Sequence, residues 1–230
     1  MTTGYCTPPS GVAMTGHFQP KYLYPGDRLA RVFDHTLAYG PYSWNPRRLP
    51  VTTTQNPRPG RFDILDTDPE PGGFLYGTEA GNGEAVAIVE TLRTFLVRDL
   101  VNGQNKLKFV DRDKRTIQYF EVSDVVTLID IHKQQWRECF HMDEEVQYSD
   151  DRSCTRQWSD FLKSSVPSAA GIAYNSTQTT ADLGFSSFVL WESRMSPIAF
   201  RPLAQIRLDS PQGRQMVDDA LMPYQPLMVK

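Results

Sequence analysis

Phe74–Leu92 reads FLYGTEAGNGEAVAIVETL, and its two halves follow different periods. Gly73–Tyr76 is short, apolar and aromatic, the composition of a strand. The GTEAGNG that follows is dense in turn formers, so the chain changes direction there. Beyond it, apolar residues fall at 85, 88, 89, 92, 95, 96 and 100, the i, i+3, i+4 spacing of a helix with one face on a core. This spacing predicts a helix over 84–100, with Asn82 as its N-cap. A strand that turns directly into a packed helix is the unit from which the rest of the chain is read.

Outward from that unit, strands dominate. LARVF at Leu29–Phe33 predicts a short strand with Arg31 between apolar neighbours. VVTLIDI at Val125–Ile131 is a continuous apolar run, the pattern of a strand buried on both faces. Gly171–Tyr174 and Phe188–Trp191 read as two more, and Ala204–Leu208 as a last one. Thr155–Ser164 predicts a helix that turns Trp158 and Phe161 or Leu162 inward. Strands outnumber helices and do not alternate strictly with them. The expectation is a single α+β domain, a mixed or antiparallel central sheet with flanking helices.

The chain has 230 residues, enough to bury roughly 70% of the surface exposed when unfolded, so folding requires no metal or disulfide. With 40% hydrophobic and 22% charged residues, it reads as an ordinary soluble globular protein. A net charge of −3 argues against nucleic acid as the partner. The charge is unevenly spread. Gly40–Arg61 holds four arginines (Arg47, Arg48, Arg58, Arg61) and no acid, whereas Glu138–Asp151 holds six acids. An acidic run of this kind is a solvated surface, but arginine forks bind phosphates two bonds at a time. The same arginines lie in a stretch, 39–60, with five prolines, which reads as a long loop; such loops inside a compact domain usually serve a site.

Three cysteines, Cys6, Cys139 and Cys154, form no CxxC pair and leave an odd count, which favours a reducing compartment. The opening MTTGYCTPPSG has neither the basic start nor the apolar core of a signal peptide, and no apolar run approaches the roughly 20 residues that span a bilayer. A cytoplasmic protein without membrane contact is expected. The four histidines are too scattered for a zinc site, so no metal is expected. There is no P-loop, no G-x-G-x-x-G after a strand and no G-x-S-x-G elbow.

Four segments, in order, then carry a resemblance: LARVFD with Arg31, PGRFD with Arg61, the Tyr76-to-Glu90 segment quoted first, and GIAYNST with Ser176. TLIDI at 127–131, TRQWSDFL at 155–162 and SFVLW at 187–191 support them. Together they resemble the RES family, across about residues 28–205. That boundary leaves 1–27 as an N-terminal extension and 206–230 as a C-terminal tail. The resemblance implies an ADP-ribosyltransferase-like RES fold and a toxin that degrades NAD+, as NAD+ phosphorylase or glycohydrolase, paired with an antitoxin protein. NAD+ is then the substrate, and no cofactor is implied. By position, Glu90, Arg31 and Tyr76 would be the catalytic residues, and Arg61 and Ser176 would bind NAD+. Two alternatives are an ADP-ribosyltransferase that modifies a protein, and a catalytically silent binding module. The sequence leaves a homo-oligomer open.

The chemistry suits these residue types. In NAD+ the nicotinamide already carries positive charge, so it departs as a neutral ring without a general acid. Ordinary glycoside hydrolysis uses two carboxylates; here one suffices, to stabilise the oxocarbenium-like ribose. Two arginines match the diphosphate, and Tyr76 offers a flat ring and a hydroxyl. Read by themselves, the residues keep a plainer option: Glu90 and Arg93, at i and i+3, would form a surface ion pair.

Overall fold

The computed structural model describes residues 7–10, 19–36, 44, 62–63, 72–81, 83–92, 96–98, 105–107, 109–149, 151–176, 186–196 and 198–222. They form β1 (Lys21–Leu23), β2 (Arg28–Asp34), β3 (Phe74–Glu79), α1 (Gly83–Leu92), β4 (Leu96–Arg98), β5 (Asn105–Leu107), β6 (Arg115–Val122), β7 (Val126–Asp130), α2 (Gln134–Cys139), α3 (Arg152–Ser165), β8 (Gly171–Asn175), β9 (Ser186–Trp191), β10 (Phe200–Arg207) and α4 (Pro211–Leu221). Eight strands make one sheet in the order β1-β7-β8-β9-β3-β2-β6-β10, and β4 pairs with β5 in a separate hairpin. Only β7 and β8 run parallel. Parallel neighbours need a long connection, and here it carries α2 and α3. The α+β class, with a mixed sheet and flanking helices, is the one the sequence predicts.

The sheet curls. Lys21 of β1 reaches Glu79 of β3, Nζ to Oε1 at 2.6 Å, although three strands separate β1 from β3 in the ladder. Inside the curl, Leu23, Leu29, Leu75, Phe120, Leu128, Phe188 and Leu190 belong to one apolar cluster built almost entirely from strands, with Trp44 packed against it. Trp44 is the described residue of the 39–60 stretch; the remainder of that loop lies outside the described residues. The helices cover the other face. There α2, the Phe140 that ends it, and α3 pack Trp136, Phe140, Trp158 and Leu162 over Ile129, Ile172, Val189 and Trp191. At the far end α1 and α4 pack Ile88, Val89, Leu92, Val217 and Leu221 over Ala30 and Ile117. Each such aliphatic side chain contributes about 1.5–3 kcal/mol when fully buried.

Local chemistry sets the helix ends. Asp151 caps α3, its side chain accepting from Ser153 N and Cys154 N. Ser210 caps α4 by accepting from Gly213 N, with Pro211 at the first helical position, where its missing N–H and fixed φ are harmless.

The structure corrects several expectations. The helix predicted over 84–100 ends at Leu92, and Leu96–Arg98 is a strand. The run Thr94-Phe95-Leu96-Val97 is β-branched and aromatic, a composition that favours extended chain over helix. Asn82, the expected cap, lies outside the described residues. Lys21–Leu23 and Pro211–Leu221 fall in stretches read as extensions, yet β1 is hydrogen-bonded into the sheet and α4 packs on α1. Cys139 is free, but Cys154 is disulfide-bonded, which departs from the reading of three reduced thiols. Among the described residues no helix is long and apolar enough to cross a membrane.

Candidate functional site

β2 and β3 are neighbours over two residue pairs, Leu29↔Glu79 and Ala30↔Thr78. Beyond Ala30, β2 stays with β6 as far as Asp34↔Arg115, while β3 stays with β9 back to Phe74↔Trp191. The strands therefore part at Arg31 and Gly77, and a fork opens between the two halves of the sheet. Gly77 is required at its apex: a Cβ there would lie 2.9 Å from ring carbons of Phe188 and 3.1 Å from Ala30 O.

Arg31 is the first residue of β2 past the shared pairs. It is 7% exposed, and burial pulls its guanidinium down to about 10, so it remains a cation at neutral pH. Side chains alternate along a strand, which puts Arg31 on the same side as Leu29, inside the curl, level with Gln118 of β6.

Tyr76 stands on the other arm, with its side chain on the helix-covered side. Its hydroxyl donates to Asp63 Oδ1 at 2.7 Å and accepts from Phe62 N at 3.0 Å. Ser159 of α3 donates to Phe62 O at 2.7 Å, and the Phe62 ring packs on Tyr174 of β8 with centroids 4.7 Å apart. Burial first, and the neighbouring Asp63 carboxylate second, push the phenol well above its usual 10. The Tyr76 proton is thus committed to Asp63, so the ring, rather than the hydroxyl, is what this residue can offer a ligand.

α1 is held against the fork by its first turn. Thr78 Oγ1 donates to Gly83 O at 2.9 Å, and a Cβ on Gly83 would sit 3.2 Å from the Thr78 side chain. Positions i, i+3, i+4 and i+7 share one helix face, so Gly83, Val86, Ala87 and Glu90 form a row that starts on β3. Gly83, Val86 and Ala87 are buried. Glu90, roughly 10 Å further along the axis, is partly buried, and its Oε1 is shut off from solvent with no hydrogen-bond partner. Arg93, the partner in the surface ion pair that the sequence left open, lies outside the described residues.

The remaining predicted residues divide. Ser176 is 7% exposed and follows the end of β8; the register sets Tyr76 level with Val189 and Ile172, so strand geometry puts Ser176 roughly 16 Å from the Tyr76 backbone, about 13 Å along the strands and two strands across. Arg61 lies outside the described residues. The structure thus sets Arg31 and Tyr76 on the two arms of one fork, brings the helix that carries Glu90 onto those arms, and keeps Ser176 at a distance. The sequence reading missed Asp63, Thr78 and Ser187. Asp63 stood inside the quoted PGRFD, but its burial and its bond to Tyr76 come from a contact thirteen residues away in the chain, for which the local sequence carries no signal. Among the described residues no three metal-ligating side chains gather.

No family model and no curated protein matches the chain. Its fold is similar to that of a chain in the crystal structure of the M. tuberculosis MbcT–MbcA toxin–antitoxin complex, at 12% identity and a TM-score of 0.50, covering 85% of this chain and 91% of that one. At that identity the likeness is one of fold: the curled α+β sheet with its helices on one face is an architecture found in a toxin–antitoxin complex.

Proposed function

We propose that this protein is an NAD+-consuming enzyme of the RES type, acting in the cytoplasm as the toxin of a toxin–antitoxin pair. It cleaves the nicotinamide–ribose bond with phosphate or water as acceptor. The observation that carries the reading is Glu90 Oε1, a carboxylate oxygen buried without a donor on α1, which packs on the two strands that part at Arg31 and Gly77. An unpaired buried carboxylate oxygen is unfavourable in the resting protein. It is useful where positive charge develops during reaction, because a fixed counter-charge in a site shielded from water stabilises the transition state most.

In the reaction the C–N bond breaks with its electron pair going to the ring, which leaves as neutral nicotinamide. The ribose carbon forms its new bond to an oxygen of water or phosphate, and the proton lost by the acceptor passes to Glu90 or solvent. Glu90 stabilises the oxocarbenium-like ribose. Arg31 binds the diphosphate, joined by Arg61, the residue before Phe62 in the chain. Tyr76 supports a ring of the substrate with its own, held in place by Asp63. Ser176, far along β8, meets the end of the dinucleotide remote from the reacting bond. The likeness to a chain of a toxin–antitoxin complex supports a protein antitoxin as partner.

Purified protein incubated with NAD+, with and without phosphate, is expected to release free nicotinamide. Folded wild type that releases none in either buffer overturns the reading. Label from NAD+ that ends covalently on a protein in lysate would move the acceptor to a side chain.

A further inference from the structure

Ser187 lies on β9 between two strands, level with Thr78 of β3 on one side and Tyr174 of β8 on the other. Directly opposed residues share a face of the sheet, and Gly83 packs on Thr78, so Ser187 points to the helix-covered side, beneath the first turn of α1. It is 2% exposed, and its Oγ has no hydrogen-bond partner. The neighbouring hydroxyl of Thr78 is already bonded to Gly83 O, and Val189, two residues on, is apolar and fully buried.

A buried hydroxyl without a partner lowers stability, and alanine would fit the same space without that penalty. Polar groups left unsatisfied in this way mark positions held for another purpose. We infer that Ser187 is a substrate-binding residue, its hydroxyl bonding an uncharged polar group of NAD+, a ribose hydroxyl or the nicotinamide carboxamide. Among the described residues beside the hydroxyl, the register neighbours Thr78 and Tyr174 and, two residues along β9, Val189 are all neutral, so none of them favours a phosphate. This inference rests on the proposed NAD+ reading and adds a contact to the same site.

The test compares wild type with Ser187→Ala by thermal melting without ligand, by the KM and kcat of nicotinamide release, and by binding of nicotinamide and of ADP-ribose separately. The variant is expected to melt at the wild-type temperature or roughly 2–4 °C higher, and to show a KM raised about tenfold, the equivalent of one lost hydrogen bond. The product whose affinity falls identifies which group the hydroxyl meets. A variant that melts lower, or fails to fold, overturns the inference by showing that Ser187 has a structural partner. A variant with unchanged KM and unchanged affinity for both products overturns it while leaving the NAD+ reading intact. If wild type neither binds nor cleaves NAD+, the two fall together.

Discussion

Replacing Glu90 with Gln removes a charge and changes almost no volume, so lost nicotinamide release in that variant reports on chemistry rather than packing. Turnover is expected to fall by about 100-fold or more, the usual effect of deleting one fixed electrostatic stabiliser, with the melting temperature unchanged or raised. Tyr76 gives a test by pH. Its phenol is pushed well above 10, and that of Tyr119 to about 12, by burial first and then by Glu84 beside it. Unfolded phenols ionise near 10. The stability tied to these protons is therefore complete below about pH 10 and drains away as pH climbs toward the raised folded values. In an alkaline titration followed by phenolate absorbance, Tyr76→Phe and Tyr119→Phe should each remove a late-titrating component from the folded protein. If every tyrosine of the wild type ionises near 10, the environments described for these two are wrong. At this scale the sequence was informative where a residue type clashed with its surroundings. Arg31 stood out because its strand neighbours are apolar. Asp63 and Ser187 did not, because their burial is created by Tyr76 on one side and by β3 and β8 on the other, contacts that exist only after folding.

The elements that hold the site are less evenly legible. The strand at 29–33 and the helix at 155–164 follow from periodicity, since one face of each meets a single core. α1 was overextended because apolar spacing continues past Leu92 although the side chains turn β-branched and aromatic. β6 was overlooked, although RTIQYFEV has the composition of a strand, because Thr116 and Gln118 sit at buried positions where a simple alternation expects apolar residues. α4 was read as tail, since its polar residues outnumber the Val217, Ala220 and Leu221 that it buries. It supports the site indirectly, by packing on the α1 residues opposite the Glu90 row. Ser210→Ala removes the acceptor for Gly213 N and is expected to lower stability by about 1 kcal/mol, read as a shift in the denaturation midpoint at unchanged slope. No shift would mean that α4 is capped by other groups.

For the whole molecule, the sequence pointed to the α+β class and to the order of its central strands along the chain, but not to the curl. Curling depends on which strands share ladders, and the contact between Lys21 and Glu79 joins segments with no local signal linking them. As the proposed toxin, the protein is expected to arrest growth when expressed alone, and Glu90→Gln is expected to relieve the arrest at equal protein level; arrest by both forms would separate toxicity from the Glu90 chemistry. The fork has a mechanical corollary. The arms of the sheet are joined through the pairs Leu29–Glu79 and Ala30–Thr78 and by the bond from Ala80 N to Arg28 O, so on the proposed reading a substrate seated between them would be held as if by tweezers sprung from one end. The tightness of that grip would then follow the stiffness of this short pivot, and a change that softens the pivot would loosen the hold without touching a single residue that meets the cargo.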